Sequence, residues 1–91
     1  MNYSVVRGSQ DFVYATLTDR KGEDLTSKAV EVAVHRGPVG TWLPAIWEDG
    51  QVRTSSPVLF SMPLGRYDVT VQLSDDAEKP RVRVGQITIT N

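Results

Sequence analysis

The chain of 91 residues contains no cysteine and a single histidine. Lack of cysteine excludes disulfide staples and thiolate metal sites, and leaves assembly in a reducing cytoplasm open. An excess of one charge is also missing: ten basic residues stand against eleven acidic ones, for a formal net charge of −1. Proteins that grip a phosphate backbone draw affinity from a basic excess, so nucleic acid is not an expected partner. No stretch approaches the roughly eighteen consecutive apolar residues that read as a spanning helix. Met1 to Gly8 holds no apolar run of signal-peptide length, and no membrane partner is expected. The seven glycines are scattered singly, so no phosphate-cradling loop is present. No window shows the three-and-four apolar spacing of an amphipathic helix.

What is there has a period of two. Tyr67, Val69, Val71 and Leu73 alternate with Asp68, Thr70 and Gln72, the pattern of a strand with one buried and one wet face. Val30, Val32 and Val34 alternate with Glu31, Ala33 and His35, while Val13, Ala15 and Leu17 interleave with Phe12, Tyr14 and Thr16. Val58 to Phe60 reads as a short strand bounded by Pro57 and Pro63. Near the end the phase changes: Val82 and Val84 are apolar at even positions, Ile87 and Ile89 at odd ones. A one-residue slip near Gly85 accounts for this as a bulge or bend, preferred over two short strands with a break.

Polar turns separate these runs at Asp19–Asp24 (with Gly22), Gly37–Gly40, Glu48–Gly50, Leu64–Gly65 and Ser74–Pro80. The expected architecture is one all-β domain over residues 1–91, a sandwich of two antiparallel sheets.

Candidate chemistry is sparse. His35 has no cysteine to pair with and no Gly-x-Ser-x-Gly elbow, so a structural role is the better account. Asp75, Asp76 and Glu78 lack the spacing of a calcium loop and read as a solvated turn. Arg81 and Arg83 flank Val82, either to meet a partner's carboxylates or to guard an edge strand. No catalytic residue, cofactor or metal is expected.

The segment Thr41 to Trp47 is the candidate for binding. If extended, it places Trp42, Pro44 and Ile46 on one face and Leu43, Ala45 and Trp47 on the other. A core absorbs only one of these faces, which leaves the other as an apolar contact surface. Pro44 lacks a ladder donor and argues for an edge strand or exposed hairpin. The candidate interface is therefore Trp42, Leu43, Pro44, Ile46 and Trp47, one tryptophan serving the core and the other contact.

Two stretches carry a resemblance. Val6-Arg7-Gly8, Phe12–Thr18, the turn Asp19 to Asp24, Leu25-Thr26 and Val30-Glu31-Val32 form the first; Met62 to Val71, closing with Pro80 to Ile89, forms the second. Together they resemble the immunoglobulin-like β-sandwich modules of tailed-bacteriophage virions, among them head-accessory proteins and baseplate domains. Gly65-Arg66-Tyr67 is similar to the tyrosine corner of such folds, whose hydroxyl ties a loop to a strand start. The resemblance implies an immunoglobulin-like sandwich of about seven strands. It implies a non-enzymatic virion protein, assembled in the host cytoplasm, that decorates the head by binding the major capsid protein. Tail or baseplate proteins are the alternative partners, self-association is a further expectation, and a carbohydrate-binding sandwich using exposed tryptophan is the rival reading.

Overall fold

The computed structural model describes residues 2–17, 28–74 and 79–91. The turn predicted at Asp19–Asp24, the Leu25-Thr26 element and the acidic group Asp75–Glu78 lie outside the described residues. Among the described residues the chain is all-β, with no helix. The strands are β1 (Asn2–Val6), β2 (Gln10–Asp11), β3 (Tyr14–Ala15), β4 (Ala29–His35), β5 (Leu43–Glu48), β6 (Gln51–Thr54), β7 (Val58–Leu59), β8 (Gly65–Ser74) and β9 (Arg81–Thr90).

Seven of them form one curled sheet in the order β1-β9-β8-β4-β5-β6-β3, and β2 pairs with β7 in a small second sheet. The all-β expectation holds, and the strands divide into a seven-stranded sheet that bends over on itself and a two-stranded second sheet. Curling brings Val13 and Val52 at one end into the same core as Val69, Val71 and Ile87 toward the other. Phe60, fully buried, fills the core beneath the small sheet, where Gly8 donates to its carbonyl and its amide donates to Ser9.

β8 is the backbone of the sheet, paired over its length with β4 and β9. Its core-facing residues Tyr67, Val69, Val71 and Leu73 are buried as their alternation requires. On the opposite face Arg66 is exposed and Asp68 partly so, but Thr70 and Gln72 are 9% and 5% exposed. Long neighbours cover them and satisfy their polar atoms. His35 bonds Thr70 Oγ1, Gln72 donates to Glu31, and Arg81 donates to Gln72 Oε1.

The phase change at the C-terminus is a bulge. Val69 pairs with Gly85 and Thr70 with Arg83, so Val84 is the extra residue beside Gly85. The slip lets Ile87 and Ile89 reach the core, and Val82 lies opposite Val71 at the rim, 44% exposed. β1 pairs in parallel with β9, a partnership that joins the two ends of the described chain.

Of the two placements that Pro44 suggested, β5 is not an edge strand, since it lies between β4 and β6, but it is one arm of a hairpin with β6. The carbonyl of a strand residue points to the same side as its amide, and the Pro44 carbonyl accepts from Ser55 just past the end of β6. The missing donor therefore faces a place where the ladder is already ending, and pairing with β4 is unharmed. β5 and β6 close in a two-residue turn, Asp49 and Gly50, with φ of 51° and 78°. Positive φ at both positions is the I′ hairpin turn that an Asp-Gly pair favours.

Candidate functional site

β5 separates its side chains as its alternation demands. Pairing of Leu43 with Val32, and of Trp47 with Val52, turns Leu43 and Trp47 toward the core side. Trp47 is half-buried there and its Nε1 donates to the Lys28 carbonyl at 2.8 Å. Trp42, Pro44 and Ile46 fall on the outer face. Trp42 lies under the Arg81 guanidinium, 5.2 Å from its ring centroid. The core tryptophan is Trp47 and the outer one is Trp42, a choice that alternation within β5 leaves undecided.

At the start of β5 an apolar cleft of about 290 Å³ opens between this strand and the segment that leads into β7. Leu43 and Pro44 form one wall, Pro57, Val58 and Leu59 the other, with Thr54 and Ser55 between. Leu59 projects beside it with 55% of its surface exposed. Of the five residues expected at the interface, the cleft gathers Leu43 and Pro44. Ile46, 42% exposed, continues the outer face beyond Pro44, while Trp47 is withdrawn.

The second wall was missed by sequence reasoning because Pro57 to Leu59 reads as an ordinary short strand. The signal available was Leu59 itself, apolar between Val58 and Phe60 on a two-residue strand that can bury only alternate positions.

The outer face continues from Ile46 across Arg53 to Tyr14, which are successive cross-strand neighbours. Arg53 stacks over Phe12 at 4.5 Å and pairs with Glu48 at 2.9 Å, and its buried Nε has no hydrogen-bond partner. Tyr14 is 42% exposed. Aromatic residues and arginine are the side chains most often found at the centre of protein interfaces.

At the entry of β8 a loop is built around Tyr67. Its hydroxyl donates to the Pro63 carbonyl at 2.6 Å and accepts from Arg36 Nη2 at 2.6 Å. The Arg36 guanidinium lies 4.5 Å over the Tyr67 ring and also reaches the Leu64 carbonyl. Gly65, with φ of 134°, lets the chain turn into β8, and a Cβ there would stand 3.1 Å from Arg36 Nη2.

His35 is held at both nitrogens, Nδ1 donating to the Gly37 carbonyl at 2.7 Å and Nε2 placed 2.8 Å from Thr70 Oγ1. With Nδ1 as donor, Nε2 of the neutral ring accepts from Thr70, and the ring pins the end of β4 to β8. Arg81 and Arg83 find their partners within the sheet: Gln72 and Trp42 for the first, Asp68 at 3.0 Å for the second. Among the described residues no three His, Asp or Glu side chains come together as a metal site would require.

Comparison with protein-family models, with curated proteins and with solved structures returned no significant match.

Proposed function

We propose that this domain is a non-enzymatic protein-interaction module whose contact surface is the apolar cleft between β5 and the Pro57–Leu59 segment. The observation that carries this reading is the pairing of a formed, apolar concavity with a large exposed side chain, Leu59, at its edge. Ile46 and Tyr14 extend the surface along the outer face.

For the fold, the reading is an immunoglobulin-like sandwich whose two halves are joined. Constant-type immunoglobulin domains carry A, B, E and D in one sheet and C, F and G in the other. With β3 to β6 taken as B to E, and β8 and β9 as F and G, the observed order divides into G-F-C and D-E-B. Bonding between β4 and β5 joins the halves into one sheet. The Tyr67–Pro63 hydrogen bond, four residues apart, is the tyrosine-corner contact.

The specific role that follows from the sequence resemblance is a head-decoration protein of a tailed-phage virion, with the major capsid protein as partner and a tail or baseplate site as the near variant. The carbohydrate-binding rival has less support, because Trp47 is half-buried with its indole bonded to Lys28 and one face of Trp42 carries the Arg81 guanidinium.

Co-sedimentation with capsids lacking the protein tests the role, and Leu59→Asp tests the surface. Binding by the wild type and release of Leu59→Asp are expected. Wild-type protein that stays in the supernatant overturns the capsid reading; retention of Leu59→Asp overturns the cleft.

A further inference from the structure

Among the described residues the seven-stranded sheet ends on one side at β1, and this edge is built unlike the other strand ends. β3, β2 and β7 are two residues long. β1 runs for five residues, Asn2-Tyr3-Ser4-Val5-Val6, without a charge, a proline or a bulge. Charges, prolines, bulges and shortness are the devices that keep sheet edges from pairing with other chains, and β1 has none of them.

The direction of its free backbone groups is set by its pairing with β9. Arg7 donates its amide to the Thr90 carbonyl, so Arg7, Val5 and Tyr3 face β9. Alternate residues point the other way, which turns the amides and carbonyls of Asn2, Ser4 and Val6 to the open edge. Of these, the Val6 carbonyl already accepts from Ser9.

We infer that β1 is a self-association edge, on which a second copy of this chain pairs its own β1 in antiparallel register about Ser4. In that register the open-edge residues meet one another: Ser4 with Ser4 of the second copy, and Asn2 with Val6 in both directions. The Ser4 pair exchanges two ladder hydrogen bonds, and the Val6 amide of each copy donates to the Asn2 carbonyl of the other, the Val6 carbonyl staying with Ser9. Between them Tyr3 meets Val5 as a non-hydrogen-bonded pair on the core side, an aromatic and β-branched match of the kind that stabilises sheets.

Both side chains are half-buried in the single chain and gain cover on pairing. A two-fold axis through the Ser4 pair makes the contact closed, so it yields a dimer and not a filament. The nearest unpaired charge on the outer face, Arg66, is separated from β1 by Thr88 in the row Arg66, Thr88, Ser4. Its counterpart in the second copy would stand five strand spacings away, about 24 Å. That exceeds the Debye length of about 8 Å at physiological salt, so repulsion between the two Arg66 side chains does not oppose the pairing.

The absence of cysteine supplies a clean test, since any disulfide in a single-cysteine variant is between chains. Paired Ser4 residues would have Cα atoms about 5.5 Å apart, inside the roughly 4.4–6.8 Å that a disulfide spans. Two copies of Asn2 would be offset by four residues, about 13 Å, and out of reach.

Under mild oxidation Ser4→Cys is expected to cross-link to a dimer and Asn2→Cys to remain a monomer. Sedimentation over a dilution series should give a wild-type mass twice that of the chain. Ser4→Pro, which deletes an amide facing the open edge and not β9, should sediment as a monomer with an unchanged circular dichroism spectrum. A wild type that is monomeric throughout, larger open assemblies, a dimer that Ser4→Pro leaves intact, or equal cross-linking at positions 2 and 4 would each overturn the inference.

Discussion

The Tyr67 hydroxyl and the Pro63 carbonyl are 2.6 Å apart, and the same hydroxyl accepts from Arg36. One oxygen thereby ties the entry of β8 to the loop before it and to the end of β4. Tyr67→Phe leaves the ring in place and removes both bonds, so the Pro63 carbonyl and Arg36 Nη2 each lose a partner. A loss of about 1–3 kcal/mol is expected, read as a lower urea midpoint with an unchanged slope.

Gly65 separates strain from crowding. Gly65→Ala places a Cβ against Arg36 and also forces a non-glycine residue to φ of 134°. The expected cost is about 1–3 kcal/mol. Adding Arg36→Ala removes the crowding and not the backbone strain, so the double variant should stay destabilised relative to Arg36→Ala alone in thermal unfolding.

Thr54 is buried, and its Oγ1 accepts the Val13 amide at 3.1 Å. Thr54→Val keeps the shape and strands that amide, which should cost about 1–3 kcal/mol in chemical denaturation. Thr54→Ser retains the acceptor and should fall closer to the wild type.

Leu59 and Phe60 are neighbours with opposite consequences. Phe60 is fully buried, and Phe60→Ala should cost about 3–5 kcal/mol of unfolding free energy. Leu59→Asp changes an exposed residue and should stay within about 0.5 kcal/mol by the same measurement. Its effect belongs to partner binding.

Tyr3 contributes to the alkaline side of the stability profile. Burial, and secondarily the Asp11 charge, raise its phenol above the ordinary value of 10.0. In the window between the unfolded and folded values the unfolded chain has lost the proton and the native chain keeps it. Stability is therefore undiminished below pH 10 and falls as pH rises through the higher, folded value. Tyr3→Phe should remove this part of the decline in denaturation curves measured at successive alkaline pH values.

How far the sequence could be read follows from what alternation encodes. Period two along β8 named Tyr67, Val69, Val71 and Leu73 as one face, and the odd-even change around Gly85 located the bulge to within a residue. Asp49-Gly50 marked the hairpin turn, and Gly65-Arg66-Tyr67 marked the loop that the tyrosine anchors. Thr41 to Trp47 was read as carrying two apolar faces, and it does. Of the two placements that Pro44 allowed, edge strand or exposed hairpin, the chain takes the hairpin with β6, since alternation cannot say on which side of a strand a missing amide falls.

Local order was thus set by the sequence itself: where strands run, which residues share a face, where the chain turns and where the phase slips. These depend on backbone geometry and nearest neighbours along the chain. Tertiary structure alone decided what lies across each face. It brought Asn2–Val6 beside the far end of β9, buried Gln72 and Thr70 under side chains from other strands, and turned Trp47 inward with Trp42 beneath Arg81. It also set Pro57–Leu59 opposite Leu43 and Pro44. The physical reason is that a strand's pleat fixes the direction of each side chain, while pairing between distant strands chooses the surface it meets.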